Sequence, residues 1–394
     1  MRLALFFTIG VSLKMWDEFG LLDREIKPYN KLADFFDKIY FITYGDKEDL
    51  KYKDLLAKNI IILPKKINLP NKIYSLLIPF FYWQELKNTD ILKTNQMAGS
   101  WAAVLAKIIF KKKLIVRCGY QWSLHTLEWG MGWFKKLLVY LVELISYKFA
   151  DAIVVTSNQA KEYVEKRYRI SSKKVHLVSN YIDTDLFKSK EYYPNLQIKS
   201  KSTNRRLCFV GRLEKQKNLF SLLEAIKILD LNLGLNLVIF GKGSLEDKLK
   251  KFSSENNLCI STSKDKNPRE SASIIEFRGN IPNNQLPEEL NKCEIFILPS
   301  FYEGNPKTLL EAMSCGLSVI GTNVRGINNI IKHKENGYLC ETSAESIKNA
   351  IQEVMGDKEL QEKIGKNARQ YVVENNSLEK IIKKELKLIN KVLF

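Results

Sequence analysis

Glu303 and Glu311 stand eight positions apart around a Pro306-Lys307-Thr308 corner. They lie in LPSFYEGNPKTLLEAMSCGLSVIGT, residues 298–322, with an apolar, strand-like run on each side. This pattern describes a parallel strand that ends, a loop that turns over a ligand and a helix that starts beneath it. Helix starts attract anions, because the first-turn N–H groups have no partner inside the helix and the dipole favours negative charge. Pro306 suits a first helical turn, where its missing N–H costs nothing. A carboxylate on each side of the turn can accept hydroxyls. The ligand implied is both a phosphate and a polyol, which describes a nucleotide sugar. In the plainer reading the two glutamates are only helix-entry acids favoured by the dipole.

Two further constellations precede this one. Gly211-Arg212-Leu213-Glu214-Lys215-Gln216-Lys217-Asn218 follows directly on the strand-like run RLCFV. A glycine at a strand end allows close backbone approach to a ligand. Arg212 and Lys217 are cations that can neutralise a leaving diphosphate. A solvated basic turn is the alternative. Phe240-Gly241-Lys242-Gly243-Ser244 is a strand ending in G-x-G and opening a helix. It lacks the third glycine of a dinucleotide fingerprint, and a tight turn is the favoured reading.

The elements that must position these residues alternate regularly. In the first half LALFFT, KIYFITYG, NIIILP, DILKTNQ, KLIVRCG, AIVVTS and KVHLVSN read as strands, with helices such as Gly99 to Phe110 and Met131 to Phe149 between them. A polar stretch, residues 188–206, reads as a linker. Then RLCFVGR, NLVIFGKG, IIEFRGN, EIFILPS, LSVIGT and NGYLC read as strands, with helices over 219–229, 244–254, 286–291, 307–313 and 344–355. Residues 259–273 read as a polar surface loop, and 358–394 as a long Lys-rich helical pattern. Strands alternating with helices imply parallel sheets covered on both faces. Two doubly wound α/β domains in tandem bind ligands at the carboxyl ends of their strands. The expected division is 1–187, a linker at 188–206, a second domain at 207–375 and a C-terminal helix at 376–394 that crosses back to the first domain.

Composition sets the outer limits. The 394 residues are 45% apolar, enough for two ordinary cores. The formal charge is +18, and it is uneven: residues 1–190 hold 31 basic and 19 acidic side chains, residues 191–394 hold 31 and 25. Such an excess points to an anionic partner or to a Lys-rich background. Six cysteines, none in a C-x-x-C pair, argue against zinc and against a disulfide framework, and they fit a reducing cytosol. MRLALFFTIGVSL could pass for a signal peptide. However, it has no small-residue cleavage site, so Leu3 to Thr8 is read as a buried strand. The apolar run LLVYLVELISY is broken by Glu143 and too short to span a bilayer.

The three constellations in this order resemble the retaining glycosyltransferases of family four, which have the GT-B fold: two Rossmann-like α/β domains facing a central cleft. The resemblance rests on Val210 to Asn218, Phe240 to Ser244, Phe277 to Gly279, Ile295 to Gly316, Val319 to Gly326 and Asn336 to Leu339. Upstream, Ser179 to Phe187 resembles the segment that closes the family's first domain, with Tyr181 where the family has Gly. Asp183-Thr184-Asp185, a metal motif in transferases of another fold, falls inside that segment and is read as structural.

The resemblance implies roles. Arg212 and Lys217 would stabilise the departing nucleoside diphosphate, and Glu303 would contact the donor sugar. Gly304, Asn305 and Pro306, with the N–H groups around Lys307, Thr308 and Leu309, would hold sugar hydroxyls and phosphate. Glu311 would accept the ribose hydroxyls. Gly211, Gly241 and Gly243 would line the donor side, and Gly10 of the first domain would approach the donor phosphate. No cofactor or metal is expected, because cationic side chains carry the charge neutralisation. On the acceptor side the family often has a His where this chain reads Arg117-Cys118-Gly119-Tyr120. His125 and Arg117 are the candidates there, and His176 and His333 are read as structural.

The expected reaction is sugar transfer with retention, to a glycan or lipid-linked saccharide acceptor, in cell-surface polysaccharide or glycolipid biosynthesis. The expected setting is cytoplasmic, peripheral at the inner face of the plasma membrane. Trp129 to Leu138, with Lys111 to Lys113 and Lys65-Lys66, has the aromatics and lysines of an anionic-membrane surface. A core helix with a wet lysine edge is the alternative. The competing functions are a GT-B nucleotide-sugar epimerase and a basic, non-catalytic binding or scaffold protein. No nucleic-acid recognition motif is present.

Overall fold

In the first sheet, residues 3–5 of the opening strand are fully buried, as a strand covered on both faces requires. The computed structural model describes residues 1–119, 121–123, 132–189, 205–229, 235–256, 258–261 and 274–394. They form two compact units, Met1–Ser179 with Ile381–Phe394, and Asn180–Lys380.

The first unit holds β1 (Arg2–Phe6), β2 (Lys38–Ile42), β3 (Ile60–Leu63), β4 (Ile91–Thr94), β5 (Lys113–Cys118), β6 (Ala152–Val155) and β7 (Val175–Leu177). Their order is β3-β2-β1-β4-β5-β6-β7, and every neighbouring pair is parallel. The second unit holds β8 (Arg205–Val210), β9 (Leu235–Phe240), β10 (Cys259–Ser261), β11 (Ile274–Gly279), β12 (Ile295–Leu298), β13 (Ser318–Thr322) and β14 (Tyr338–Cys340). Their order is β10-β11-β9-β8-β12-β13-β14, again parallel. In each sheet the winding reverses once, between β1 and β4 and between β8 and β12. The loops leaving those strands diverge there and open a crevice, the usual ligand position in doubly wound sheets.

Each run read as a strand is one, and both sheets are doubly wound as expected. Three details differ. The expected loop 259–273 begins with β10, whose short Cys-Ile-Ser run finds a partner in β11; residues 262–273 lie outside the described ones. The pattern over 358–394 is two helices, Lys358–Asn375 and Leu378–Leu393. The break is made by contacts no helical pattern reveals: Asn376 Nδ2 donates to Asn180 O at 2.8 Å, and Ile182 N donates to Asn376 O at 2.8 Å. Those contacts also place 180–187 in the second unit rather than at the end of the first, with Ile182 and Phe187 buried in the second core.

Candidate active site

The loops that leave β8 and β12 are bound to each other at the second sheet's switch point. Phe301 N donates to Gln216 O at 2.9 Å, and Gln216 Nε2 donates to Tyr302 O at 2.8 Å. Asn218, in the left-handed region at φ 52°, sends Nδ2 to Pro299 O at 3.1 Å and to Thr342 O at 2.9 Å. Asparagine is among the few residues that take this conformation at small cost. It lets the loop turn directly into the helix Leu219–Ile228.

This lacing brings Lys217 to Glu303, 86 positions later in the chain. Lys217 Nζ lies 2.5 Å from Glu303 Oε1, and both side chains are largely buried, at 12% and 8% exposure. Ser300 Oγ donates to the same oxygen at 2.6 Å, and Thr322 Oγ1 in turn donates to Ser300 O at 2.5 Å. The backbone of Glu303 is held as well, its N–H donating to Arg325 O at 2.9 Å. Gly326, at φ +87°, makes this possible: a Cβ there would stand 2.2 Å from Glu303 O. Arg212 is exposed on the rim of the same loop.

Beyond Glu303 the chain reaches the helix Lys307–Ser314. Its N-cap is Pro306, which offers no side-chain hydrogen bond, and no acid stands in its first turn. The N–H groups of Lys307, Thr308 and Leu309 therefore head a helix whose positive end is not already neutralised. Asn305 is tied down: Asn180 N donates to Asn305 Oδ1 at 3.1 Å and Asn180 Nδ2 to Asn305 O at 2.8 Å. Lys307 Nζ lies 5.4 Å from the Tyr181 ring centroid. The residue unusual for the family pattern thus packs beside the helix start. Glu311, one turn in, is 1% exposed and accepts Asn283 Nδ2 at 3.1 Å.

Gly241 and Gly243 have a different role in the geometry. A Cβ on Gly241, at φ +135°, would stand 1.9 Å from Gly211 O, and one on Gly243 would stand 2.4 Å from Leu213 O. Leu213 N donates to Lys242 O at 3.0 Å and Gly241 N to Gly279 O at 2.7 Å, so the sheet pairing continues into the loops. The close approach these glycines permit is to the chain's own backbone. The helix start that follows also carries negative charge of its own. Glu214 accepts Ser244 N at 3.0 Å and Ser244 Oγ at 2.7 Å, bonds that hold its carboxyl below the usual range. Glu246 and Asp247 follow in the first turn. Of the two helix starts flagged in the sequence, 307–309 is the one arranged for an anion.

The remaining candidates separate. Gly10, at φ +79°, sits after β1 at the first sheet's switch point. Arg117 is half-buried in β5, its backbone N–H bonded to Thr94 Oγ1 at 3.0 Å. His125 lies outside the described residues. His333 accepts Leu339 N on Nδ1 at 3.1 Å, a structural bond. Asp183 Oδ1 accepts the N–H groups of Asp185 and Leu186 at 3.3 and 3.2 Å, which is turn capping. Sequence reasoning missed Gly326, Thr322 and Asn283 as supports. Only Gly326 carried a local signal, a glycine in the loop after a strand.

Two family models cover this chain: "Glycosyltransferase Family 4" matches residues 30–186 and "Glycosyl transferases group 1" matches residues 196–371. The chain belongs to the family-four, group 1 glycosyltransferases. It is 30% identical over 256 residues to the Escherichia coli UDP-Gal:alpha-D-GlcNAc-diphosphoundecaprenol alpha-1,3-galactosyltransferase, a match covering 63% of this chain and 62% of that one. It is 25% identical to the Staphylococcus aureus capsular polysaccharide biosynthesis glycosyltransferase CapM, over 88% of this chain and 87% of the relative. Among solved structures, sucrose-phosphate synthase from Thermosynechococcus elongatus superposes with TM-score 0.79 at 17% identity, over 100% of this chain and 99% of that one. Anabaena HepE in complex with UDP gives 0.74 at 15% identity, over 99% and 100%. These likenesses establish the GT-B fold.

Proposed function

We propose that this glycosyltransferase moves a sugar, with retention of anomeric configuration, from a nucleotide-sugar donor to a glycan or lipid-linked saccharide acceptor. The observation that carries the reading is the buried Lys217–Glu303 pair beside the helix start at Lys307. In this reading the donor phosphate lies on the N–H groups of Lys307 to Leu309. Lys217 and the exposed Arg212 neutralise the charge that grows on the leaving diphosphate, the largest contribution such a site can make. Glu303 faces the donor sugar and Glu311 receives ribose hydroxyls. The acceptor hydroxyl attacks from the face the diphosphate leaves, and a diphosphate oxygen takes its proton.

Side-chain cations serve here in place of a metal, a reading supported by the Asp183 carboxylate's engagement with backbone N–H groups. The lipid-linked acceptor is supported by the E. coli relative, named for a diphosphoundecaprenol substrate. A cytoplasmic setting beside an anionic membrane goes with such an acceptor. Nucleotide sugars screened by thermal shift identify the donor, since a true donor stabilises by mass action. Transfer is then followed with that donor, with the product anomer read by NMR. Retention is expected, and an inverted product would overturn the mechanism. Donor turnover to an epimer without transfer would favour an epimerase.

A further inference from the structure

We propose that Asn180 and Tyr181 position the helix start at Lys307, and that Tyr181 holds the Lys307 ammonium there as a further cation for the donor diphosphate. The chain enters the second unit at Asn180. Asn180 grips the loop before the helix at two points, both on Asn305, 125 positions later. Its backbone N–H donates to Asn305 Oδ1 at 3.1 Å, and its Nδ2 donates to Asn305 O at 2.8 Å. Pro306, which follows, has no N–H and gives the helix no side-chain cap, so the hold on the leading edge passes through Asn305. Asn180 is fixed in turn. Asn376, 3% exposed, donates Nδ2 to Asn180 O at 2.8 Å and accepts Ile182 N at 2.8 Å, while Leu378 N donates to Ile182 O at 3.0 Å. Backbone N–H groups bind an anion well only when their directions are set beforehand. The bonds from Asn376 through Asn180 to Asn305 set them.

Tyr181 adds what the family pattern does not have. Where that pattern has glycine, this chain places a ring, and Lys307 Nζ lies 5.4 Å from its centroid. A ring face attracts an ammonium within about 6 Å. Both side chains are half-buried. Lys307 is the first residue of its helix, so its N–H and its ammonium serve one anion site, and no acid stands in the first turn to oppose them. A lysine ammonium is a compact charge with three donors on a flexible stem. Held at the ring, that stem loses less freedom when a diphosphate arrives. Glycine at 181 would offer no such surface. Lys307 thus joins Lys217 and Arg212 as a third cation, and Tyr181 is the residue that aims it. The inference rests on the transferase reading, since it takes the helix start at Lys307 as the place of the donor diphosphate.

The test is calorimetric titration of the full chain with UDP, GDP, ADP and dTDP, and the nucleotide that binds is carried to the variants. Lys307→Met should weaken binding about 10-fold, the loss of one charge-assisted contact. Tyr181→Leu should weaken it about 3-fold, and Tyr181→Phe, which keeps the ring, should leave it unchanged. In the Lys307→Met chain Tyr181→Leu should have no further effect, because it acts through the ammonium. Asn180→Ala, which removes the Nδ2 donor, should weaken binding about 5-fold and raise the donor KM with kcat held. Urea unfolding shows that each variant is folded, and the Tyr181 variants carry the test if Asn180→Ala is not. Full affinity in Lys307→Met, or additive losses from Lys307→Met and Tyr181→Leu, overturns the proposal. So does a loss of stability in Asn180→Ala and Tyr181→Leu with nucleotide affinity unchanged, since both residues would then be structural only. If no nucleotide binds the unaltered chain, the donor-site reading itself fails and the inference falls with it. If one binds and the variants bind it equally well, only the inference fails.

Discussion

Lys217 and Glu303 carry an observed structural role and a proposed catalytic one, and the two can be pulled apart. As a buried pair they belong to the packing between the β8 and β12 loops. Removing one partner leaves the other largely desolvated, which costs about 3–5 kcal/mol for a buried pair. In the proposed reaction they would also stabilise the departing diphosphate and face the sugar. Lys217→Met should therefore lose both stability and transfer, with kcat falling about 10²–10³-fold. The double variant Lys217→Met/Glu303→Gln should recover most of the stability and none of the transfer. Urea unfolding and a transfer assay on the three proteins decide the matter. Recovered activity in the double variant would mean the pair is only structural. The same logic separates Glu311, whose 1% exposure requires that any ribose contact be made by a side chain already bonded to Asn283.

At the scale of elements, the loops are set by backbone approaches that tolerate no side chain. Gly241→Ala would place a Cβ 1.9 Å from Gly211 O. The expected result is a loss of about 2–4 kcal/mol by denaturant unfolding, within the range of severe single substitutions. Unchanged stability would return Gly241 to the role of a ligand-facing glycine. Much of this was legible beforehand. Alternation of short apolar runs with helical patterns fixed both sheets, because parallel strands need helices between them. The glycines at strand ends, Arg212, Lys217 and Glu303 were also visible as types in order. What they touch was not. The hold on Glu303 comes from Gly326, Ser300 and Thr322, and the break at Asn376 from Asn180; apart from the nearby Ser300, these partners lie far enough along the chain that no local pattern pairs them.

Glu143 shows the same gap between pattern and contact. In the sequence it only interrupts an apolar run. In the fold it is fully buried on the helix Trp133–Phe149 and accepts Trp122 N at 2.9 Å, Ser123 N at 3.3 Å and the Tyr168 hydroxyl. It thereby fixes the segment that leaves β5 on the candidate acceptor side. Burial raises its pKa above 4.5 despite those bonds. A raised carboxyl binds its proton more tightly when folded. Its contribution to stability is then complete below the unfolded value and is lost as pH rises through the folded one. Glu143→Gln, which has no proton to lose, should flatten the fall in stability as pH climbs above 4.5. Parallel profiles for the two proteins would show that Glu143 does not set this slope.

At the scale of the whole molecule, the first unit is completed by the chain's last residues. Ile381–Phe394 belongs with Met1–Ser179, although the second unit intervenes in sequence. The tie is charged: Lys93, in the middle of the first sheet, forms an ion pair with Glu385, the side chains being 3% and 9% exposed. Burial and the nearby Arg117 push the Lys93 ammonium toward its neutral form, and the Glu385 carboxylate is the group that opposes this. A lysine in a central strand is tolerable only with such a partner. Glu385→Ala should therefore cost the first unit about 3–5 kcal/mol, because it strands a buried charge. Lys93→Met/Glu385→Leu should restore that stability or exceed it, since a buried pair gains little over well-packed apolar groups. Hydrogen exchange places the effect. Protection should fall in β1, β4 and β5 of the single variant and stay unchanged in β8 and β12. Uniform loss across both sheets would mean that the two units share one cooperative transition. No loss would mean that the C-terminal helix is held by its apolar face, Ile382 and Ile389, and that the ion pair contributes nothing to the closure.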